Sequence, residues 1–437
     1  MARRIITAID VGTSKITTVI AAVDDNQQSP TVIGVCSHPS KGIKKGVVVN
    51  IEEATNAISE SVTAAERMAG VTVSDVFVSI NGEQVTSLNN KGVVAVSDSE
   101  ISVEDTYRAI ENARTLSLPD TLNPIHIIPR EFVVDNQGGI KYPIGMTGSR
   151  LEVETHIITA PNSYWRNIKK CVEQLALHVY DVVFTSWASS LAVLTDTEKE
   201  LGVSLIDIGA GTSSISIFEE GAIVYSGCVP LGGANITSDL AIGLQVSLEE
   251  AEKIKLNMSK ILNNSTAAAS SGDDRTPALL RKVEEAAPKK SDSKKEDMVD
   301  VSGLGIKSQK EISKTFLKEI VEARTEEIFD LIKETVKKSG YSIAMPAGVV
   351  LTGGSALLPE ITKIGQSVFK VPSRMGYPTG LSGMVEEISD PSYSAVQGLI
   401  KHAMDDDADA GSSSADSGFS IGGIFKKIAS WFKSILP

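Results

Sequence analysis

Two stretches of this 437-residue chain share one hydrophobic and polar pattern. Each has a largely apolar run, an aspartate, a glycine-bearing turn, and a return that alternates hydroxyl and apolar side chains. In residues 201–218 the run Val203–Ile206 reaches Asp207, turns over Gly209 and Gly211, and resumes from Thr212 to Phe218. In residues 5–20 an apolar run ends at Asp10, passes Gly12, Thr13 and Ser14, and resumes at Lys15. The pattern predicts a buried strand paired with a half-buried one. The glycines let backbone N–H groups converge and a phosphate approach closely, and the aspartate is placed to hold a cation against that phosphate. Taken alone, either copy also fits an ordinary hairpin with a glycine turn. The repetition favours a duplicated architecture with one phosphate site between two halves. A third element, Gly348 to Leu358, reads as a buried strand followed by Gly353 and Gly354 before a helix, a place where the backbone can pass flat under a base.

The remaining pattern fills in around these three. Residues 5–35 predict a three-strand meander, followed by a glycine-flanked basic loop at 40–48. Ile51, Ala54, Ile58, Val62, Ala65 and Met68 recur at helical spacing, with Gly70 as the stop. Val76–Gly82 reads as a strand and turn. Residues 83–160 read as an inserted α+β module: a strand at 92–96, a helix entered at Ser102 and running through Arg114, and strands at 126–134 and 150–159. Helices are expected at 162–179, 188–194 and 237–242, and one opens at Ser247 with a capping box to Glu250. Residues 263–303 are rich in Ser, Ala, Lys, Asp and Glu with almost no large apolar residue, and most of this stretch is expected to be a mobile loop. Residues 308–339 predict a long helix with Ile312, Phe316, Ile320, Ile328, Leu331, Ile332 and Val336 on its apolar side. A helix at 392–400 has a small face, Ala395 and Gly398, that permits a close crossing. An acidic stretch with five Asp and no base follows at 405–418.

Length argues for at least two lobes. Cys36, Cys171 and Cys228 are far apart and odd in number, reading as reduced, buried residues of a cytoplasmic protein. The N-terminus runs directly into the first strand, which leaves no room for a signal peptide. The net charge of −13 is unevenly placed, because residues 419–437 hold three lysines and no acid, so the remainder carries −16. An acidic body argues against nucleic acid as the main partner.

The two hairpins and the Gly353–Gly354 element, in this order, resemble the phosphate-1, phosphate-2 and adenosine motifs of the actin, Hsp70 and sugar-kinase superfamily. Within it the chain is similar, over nearly its full length, to the bacterial actin-like division proteins of the FtsA family. The matching stretches are Ala8–Lys15, Gly42–Val47, His126–Phe132, Gly202–Thr212 and Val349–Ala356, together with the inserted module and the apolar tail. The resemblance implies an actin-like ATPase fold: duplicated ribonuclease H-like lobes around a nucleotide cleft, an inserted α+β subdomain, and a C-terminal amphipathic helix. Its divisions would be subdomain IA at 1–82 and 161–200, IC at 83–160, IIA at 201–232 and 341–402, and IIB at 233–340. An acidic flexible linker at 403–418 and a membrane-targeting helix at 419–437 would follow.

The resemblance also implies Mg·ATP. Asp10 and Asp207 would face the Mg²⁺ through water. Gly12, Thr13, Ser14, Gly209, Gly211 and Thr212 would cradle the β- and γ-phosphates, and Gly353 and Gly354 would sit at the adenine. Lys15 would reach a phosphate, or else is a solvated lysine at a strand start. Glu252 and Lys255 share a helix face and resemble a ribose-holding Glu-x-x-Lys pair; without the resemblance they read as a solvated charge pair. Further implications are head-to-tail filaments through the inserted module, and docking of the C-terminal tail of the tubulin-like protein FtsZ on the helix at 308–339. There Arg324 and Glu327 offer a charged rim; on the residues alone, pairing within the helix explains them. Recruitment of later division proteins and slow hydrolysis are also implied, with no catalytic residue named.

At 419–436 the stripe Ile421, Ile424, Phe425, Ile428, Trp431, Phe432, Ile435 and Leu436 opposes Lys426, Lys427, Ser430, Lys433 and Ser434. As a helix the stretch is about 27 Å long, nearly enough to span a bilayer. Spanning would place lysines in hydrocarbon at roughly 2.5–3.5 kcal/mol each near the centre. Lying flat leaves them at anionic headgroups, gaining on the order of 1 kcal/mol each. The flat pose is therefore expected, on the cytoplasmic side of the inner membrane at the division septum, with the linker as a tether of roughly 20–25 Å reach. Two alternatives compete with this reading. A small-molecule kinase needs a general base at the γ-phosphate, and no Asp or Glu is marked as one. A pilus-assembly relative shares the hairpins and has no use for the apolar tail.

Overall fold

Each aspartate-bearing hairpin lies within its own mixed sheet, and the two sheets have the same strand order. The computed structural model describes residues 4–24, 29–115, 118–263 and 297–407. In the first lobe Arg4–Val11, Lys15–Val23 and Thr31–Pro39 form the antiparallel meander, and Asp75–Ile80 and His178–Phe184 extend it in parallel beyond Arg4–Val11. In the second lobe Val203–Ile208, Ser213–Glu219 and Ala222–Val229 repeat the meander, and Val349–Thr352 and Ser373–Met375 repeat the parallel extension. The duplication read from two motifs therefore covers five strands in each lobe, and Ser382–Gly383 adds a sixth to the first sheet, parallel to Thr31–Pro39.

Strand alternation assigns each lobe two cores. In the first, Ile9, Val11, Ile16 and Ile20 pack under helices Ile51–Ala69 and Asn162–Glu173. On the opposite face Ile6, Ala8, Val19 and Ala21 meet Val396, Leu399 and Ile400 of helix Ser394–Asp407. In the second, helices Gly233–Leu244, Lys314–Lys338 and Ile361–Phe369 cover one face. Helix Thr185–Val193 covers the other, against Val203, Leu205, Phe218 and Val350. Helices Thr185–Val193 and Ser394–Asp407 cross where Gly398 lies on Ala188. A Cβ on Gly398 would stand 1.7 Å from the Ala188 carbonyl oxygen.

The inserted module is an antiparallel sheet, Thr86–Ala95, Arg150–Pro161, Leu122–Val134 and Gln137–Ile140, with helix Val103–Arg114 across it. The capping box at Ser102 closes on Asp105 as the helix start requires. A second link joins this module to the second lobe. Asn89 donates to the Val224 carbonyl (3.0 Å), Ser87 exchanges bonds with the Ser226 backbone (2.8 and 2.9 Å), and His156 bonds Asn89 (2.7 Å) and Ser226 (2.9 Å). Burial holds the His156 imidazole down to about 3, so it is neutral at physiological pH.

Several expected elements differ. The helix expected over 162–179 stops at Glu173, and His178–Phe184 is a strand, because Val179, Val182 and Val183 are needed beside Asp75–Ile80. The helix expected from 308 begins at Lys314. Glu311–Ser313 pairs with Met298–Asp300, Ser313 caps the helix at the Phe316 N–H, and Asp297 accepts from Ser313 and Thr315. Residues 297–303 are thus ordered, held by buried Val301, while 264–296 lie outside the described residues. Glu250 does more than cap its own helix. It accepts from Lys307 N–H (2.6 Å) and the Ser308 hydroxyl (2.6 Å), which hold its carboxyl down to about 2. The last helix runs to Asp407 with Ala403 buried, so residues 403–407 are not linker. Residues 408–437, including the expected membrane helix, lie outside the described residues.

At the crossing both surfaces are backbone, with no flexible side chain to yield. Gly398→Val should therefore cost at least about 3 kcal/mol, whereas Gly303→Ala, which meets nothing within 4 Å, should stay within about 0.5 kcal/mol. Urea midpoints of the two variants check this; equal midpoints would mean the crossing is looser than described.

Candidate functional site

The first turn is closed by Gly12 N–H donating to the Lys15 carbonyl (3.1 Å), and a Cβ on Gly12 would stand 2.6 Å from that oxygen. Gly209 N–H closes the second turn on the Thr212 carbonyl (2.9 Å). The turns touch: a Cβ on Gly211 would meet Thr13 Oγ1 at 2.7 Å. Glycine is required there because the two halves of the molecule come together at that atom.

Asp10 and Asp207 each end a central strand, and each carboxylate is fixed by a serine from a neighbouring element. Ser79 donates to Asp10 Oδ1 (2.7 Å) while accepting from Val11 N–H (2.8 Å). Ser189, on the helix that crosses under Gly398, donates to Asp207 Oδ2 (2.5 Å). Burial pushes the Asp207 carboxyl up to about 7, and the Asp10 charge adds to the rise. Burial also raises Asp10, against the Ser79 bond and the Lys15 charge. Two neighbouring carboxylates that resist ionisation are a favourable setting for a divalent cation, which removes the cost of charging them.

Lys15 does not project freely over its turn. Its ammonium donates to Ser392 Oγ (2.8 Å) and lies 4.0 Å from the Tyr393 ring centroid, near Asp390 and Asp10. Ser14 is exposed and its carbonyl accepts from Ser40 N–H (2.9 Å). Thr13 Oγ1 accepts from Gly46 N–H (2.9 Å), and Thr212 Oγ1 accepts from Asn81 (3.3 Å).

The third element splits into two roles. Gly353 adopts φ 88°, and a Cβ there would stand 2.3 Å from Asp207 Oδ1. The carboxylate alone is reason enough for glycine there. Gly354 meets only Ser392 Cβ, at 3.6 Å, and keeps its open side. Glu252 and Lys255 pair at 2.8 Å and are tied into the first turn of helix Gly233–Leu244. Thr237 donates to Glu252 (2.5 Å), and Lys255 donates to Thr237 (2.8 Å) and the Gly233 carbonyl (3.1 Å). That turn rests on the second glycine turn, with Gly233 N–H on the Gly209 carbonyl (2.9 Å) and Ala234 N–H on that of Ala210 (2.8 Å). Ser355 also donates to the Gly209 carbonyl (3.0 Å). The pair is therefore anchored to the elements that carry the second glycine turn, with the Lys255 side chain 9% exposed and that of Glu252 41%.

Sequence reasoning missed Ser79, Ser189, Asn81, Gly46, Gly233 and Ser355. Ser79 carries a signal, a lone hydroxyl in the apolar run Val76–Ile80. Ser189 and Ser355 carry none, because their role comes from a distant element. Arg324 and Glu327 are not at the cleft. Arg324 holds the Asp239 carboxylate with two bonds (2.5 and 2.9 Å) and Glu327 with a third (2.7 Å). Ile421, Ile424, Phe425, Lys426, Lys427, Ile428, Trp431, Phe432, Lys433, Ile435 and Leu436 lie outside the described residues.

The family described as Cell division protein FtsA matches residues 204–398, and the SHS2 domain inserted in FTSA matches 82–159. The FtsA protein of Pseudomonas aeruginosa is 34% identical, covering 93% of this chain and 91% of its own. That of Borreliella burgdorferi is 38% identical, covering 92% and 91%. Among solved structures, the PilM-PilN type IV pilus biogenesis complex aligns with TM-score 0.57 at 12% identity, over 91% of this chain and 98% of that one. MreB 5 of Spiroplasma citri bound to AMPPNP aligns with TM-score 0.50 at 13% identity, over 94% and 99%. Likeness at such identities speaks for the fold alone, which is the actin-like ATPase fold with an inserted module. By its near full-length identity to those relatives, the chain belongs to the FtsA family of cell division proteins.

Proposed function

We propose that the chain is an ATP-binding, filament-forming subunit that links the tail of FtsZ to the cytoplasmic face of the membrane at the division site and recruits later division proteins. The observation that carries the nucleotide reading is the meeting of two Asp-bearing glycine turns at Gly211 and Thr13. Space at the turns is kept clear of Cβ atoms, and two carboxylates stand where a cation would bridge phosphates. Asp10 and Asp207 would hold Mg²⁺ through water. Gly12, Thr13, Ser14, Gly209, Gly211 and Thr212 would supply the cradle, with Glu252 and Lys255 at the ribose and Gly354 beside the adenine. Gly353 instead keeps Asp207 in place, and Lys15 would steady the wall at Ser392. The bound Mg²⁺ supplies charge neutralisation of the phosphates. MreB 5, which shares the fold, was solved with AMPPNP, and this supports the reading.

Filament formation rests on the head-to-tail stacking that the fold permits, a contact that does not close on itself, with the inserted module as contact element. Membrane attachment rests on the amphipathic stripe at 419–436. Among the described residues no helix is long and apolar enough to cross a membrane, which is compatible with a peripheral anchor. The peptide site is proposed at helix Lys314–Lys338, where the Asp239–Arg324–Glu327 cluster offers a preset charged rim.

Three outcomes follow. Asp207 has a folded pKa of about 7 against an ordinary 3.8, so the native state binds the extra proton in that window. The nucleotide-free protein should therefore lose stability as pH rises from about 3.8 to about 7, and Mg·ATP binding at pH 6.5 should release a proton. Asp207→Asn should flatten the stability profile, abolish that release and weaken Mg·ATP by at least about tenfold. Calorimetry in buffers of differing ionisation enthalpy measures it, and identical proton release in both proteins would exclude Asp207. Removing residues 419–437, or changing Trp431 and Phe432 to Glu, should leave nucleotide affinity intact and abolish co-sedimentation with anionic vesicles; vesicle binding that survives both changes would rule out the anchor. Arg324→Glu should abolish binding of a peptide with the FtsZ C-terminal sequence while the far-ultraviolet spectrum stays native. Unchanged peptide affinity would move the docking site elsewhere.

A further inference from the structure

The basic loop at 40–48 does more than lend its Gly46 N–H to Thr13. It folds as a tight hairpin, Ile43–Lys44 with Val47–Val48, whose two connecting residues Lys45 (φ 50°) and Gly46 (φ 75°) both have positive φ, as a type I′ turn requires. That turn favours Asn, Asp or Gly at its first position, so a lysine there is held in a backbone conformation it disfavours.

The hairpin tip is fixed against both phosphate turns. Gly46 N–H donates to Thr13 Oγ1 (2.9 Å), and a Cβ on Gly211 would stand 3.0 Å from Lys45 Cα. Its other side is wedged. A Cβ on Gly46 would meet Asn81 and Gly82 at 3.1–3.2 Å, one on Gly82 would meet Tyr164 at 2.5 Å and Val47 at 3.1 Å, and Asn81 reaches Thr212. The tip cannot shift without disturbing Thr13, Thr212 or Asn81. Lys45 is exposed, and among the described residues its ammonium has no hydrogen-bond or ion-pair partner. Lys15, the lysine of the first turn, is by contrast held by Ser392 and Tyr393.

We propose that the Ile43–Val48 hairpin is a third wall of the phosphate site and that Lys45 is the residue that distinguishes a nucleoside triphosphate from a diphosphate. This rests on the nucleotide reading above. A cleft with Asp10 and Asp207 on its floor needs cationic charge beyond one divalent ion to accept the terminal phosphate. A lysine is suited to this as a compact point charge on a flexible stem. The tip abuts the place where the two turns meet, where the terminal phosphate of a bridging triphosphate would lie, so its charge acts on that phosphate more than on the inner ones. The unfavourable turn residue is then retained for its side chain and not for the turn.

The test compares the affinities of the full chain for Mg·AMPPNP and Mg·ADP, by calorimetry below the concentration at which it assembles. Lys45→Asn keeps a residue that tolerates positive φ, so the hairpin is preserved while the charge is lost. It should weaken AMPPNP about tenfold and leave ADP within twofold. Lys45→Arg should restore most of the difference, and Lys44→Asn, which removes the same charge one residue earlier, should change neither ligand. If wild type binds neither nucleotide, the nucleotide reading itself falls and this inference with it. If wild type binds both and Lys45→Asn changes them equally or not at all, the nucleotide reading stands and the role of Lys45 is overturned.

Discussion

The crossing of helices Thr185–Val193 and Ser394–Asp407 fixes where everything else can be. Each helix covers one face of a different lobe's sheet, and they meet with the backbone of Gly398 on that of Ala188. No side chain lies between them to cushion a shift, so the separation of the two sheets is set by backbone van der Waals contact. One turn-neighbour of that contact is Ser189, whose hydroxyl holds Asp207, and another helix residue, Ser186, reaches Ser216 on the returning strand. The crossing thus positions the second carboxylate as well as the lobe.

The first carboxylate is placed by an equivalent device from a different source, Ser79 on a parallel strand. Both carboxylates end up desolvated and near one another, an arrangement that a folded protein keeps only where something compensates it. Gly353 shows how closely the site is built around this. Its missing Cβ is the space that Asp207 Oδ1 occupies, so the element that resembles a base platform is also what lets the carboxylate sit at the strand end.

The duplicated lobes were legible because they depend on local pattern: Asp10 and Asp207 before glycine turns, alternation in the return strands, and Ala395 and Gly398 as a small helix face. The capping box at Ser247 and the helix start at Ser102 followed from spacing alone. What was not legible depends on distant partners. His178–Phe184 reads as the end of a helix until Asp75–Ile80 is known to lie beside it. Residues 297–303 read as a loop because Met298, Val299 and Val301 stand at the end of a long polar stretch, and the burial of Val301 is supplied by elements beyond it. Glu252 and Lys255 read equally as surface charges. Their role is decided by Thr237 and the Gly233 carbonyl, which the sequence places on a separate helix. Arg324 was legible as a charged residue beside an apolar strip, but its bidentate partner Asp239 lies 85 positions away.

The lobes are joined a second time, and by the opposite kind of contact. Where the helix crossing is apolar and tolerates no displacement, the inserted module meets strand Ala222–Val229 through Ser87, Asn89 and His156, all in hydrogen bonds. A buried polar network holds firmly when every partner is present and is costly when one is lost. Because burial keeps His156 neutral far above its own pKa of about 3, this link does not loosen over the physiological pH range. A rigid apolar pivot together with a directional polar strut leaves the lobes few ways to move. Motion that separates the glycine turns must either break the His156–Ser226 and Asn89–Val224 bonds or carry the inserted module along with the second lobe. The second course would instead break the buried bond from Phe184 N–H to His126 (3.0 Å) that ties the module to the first lobe, so the module resists separation from either side.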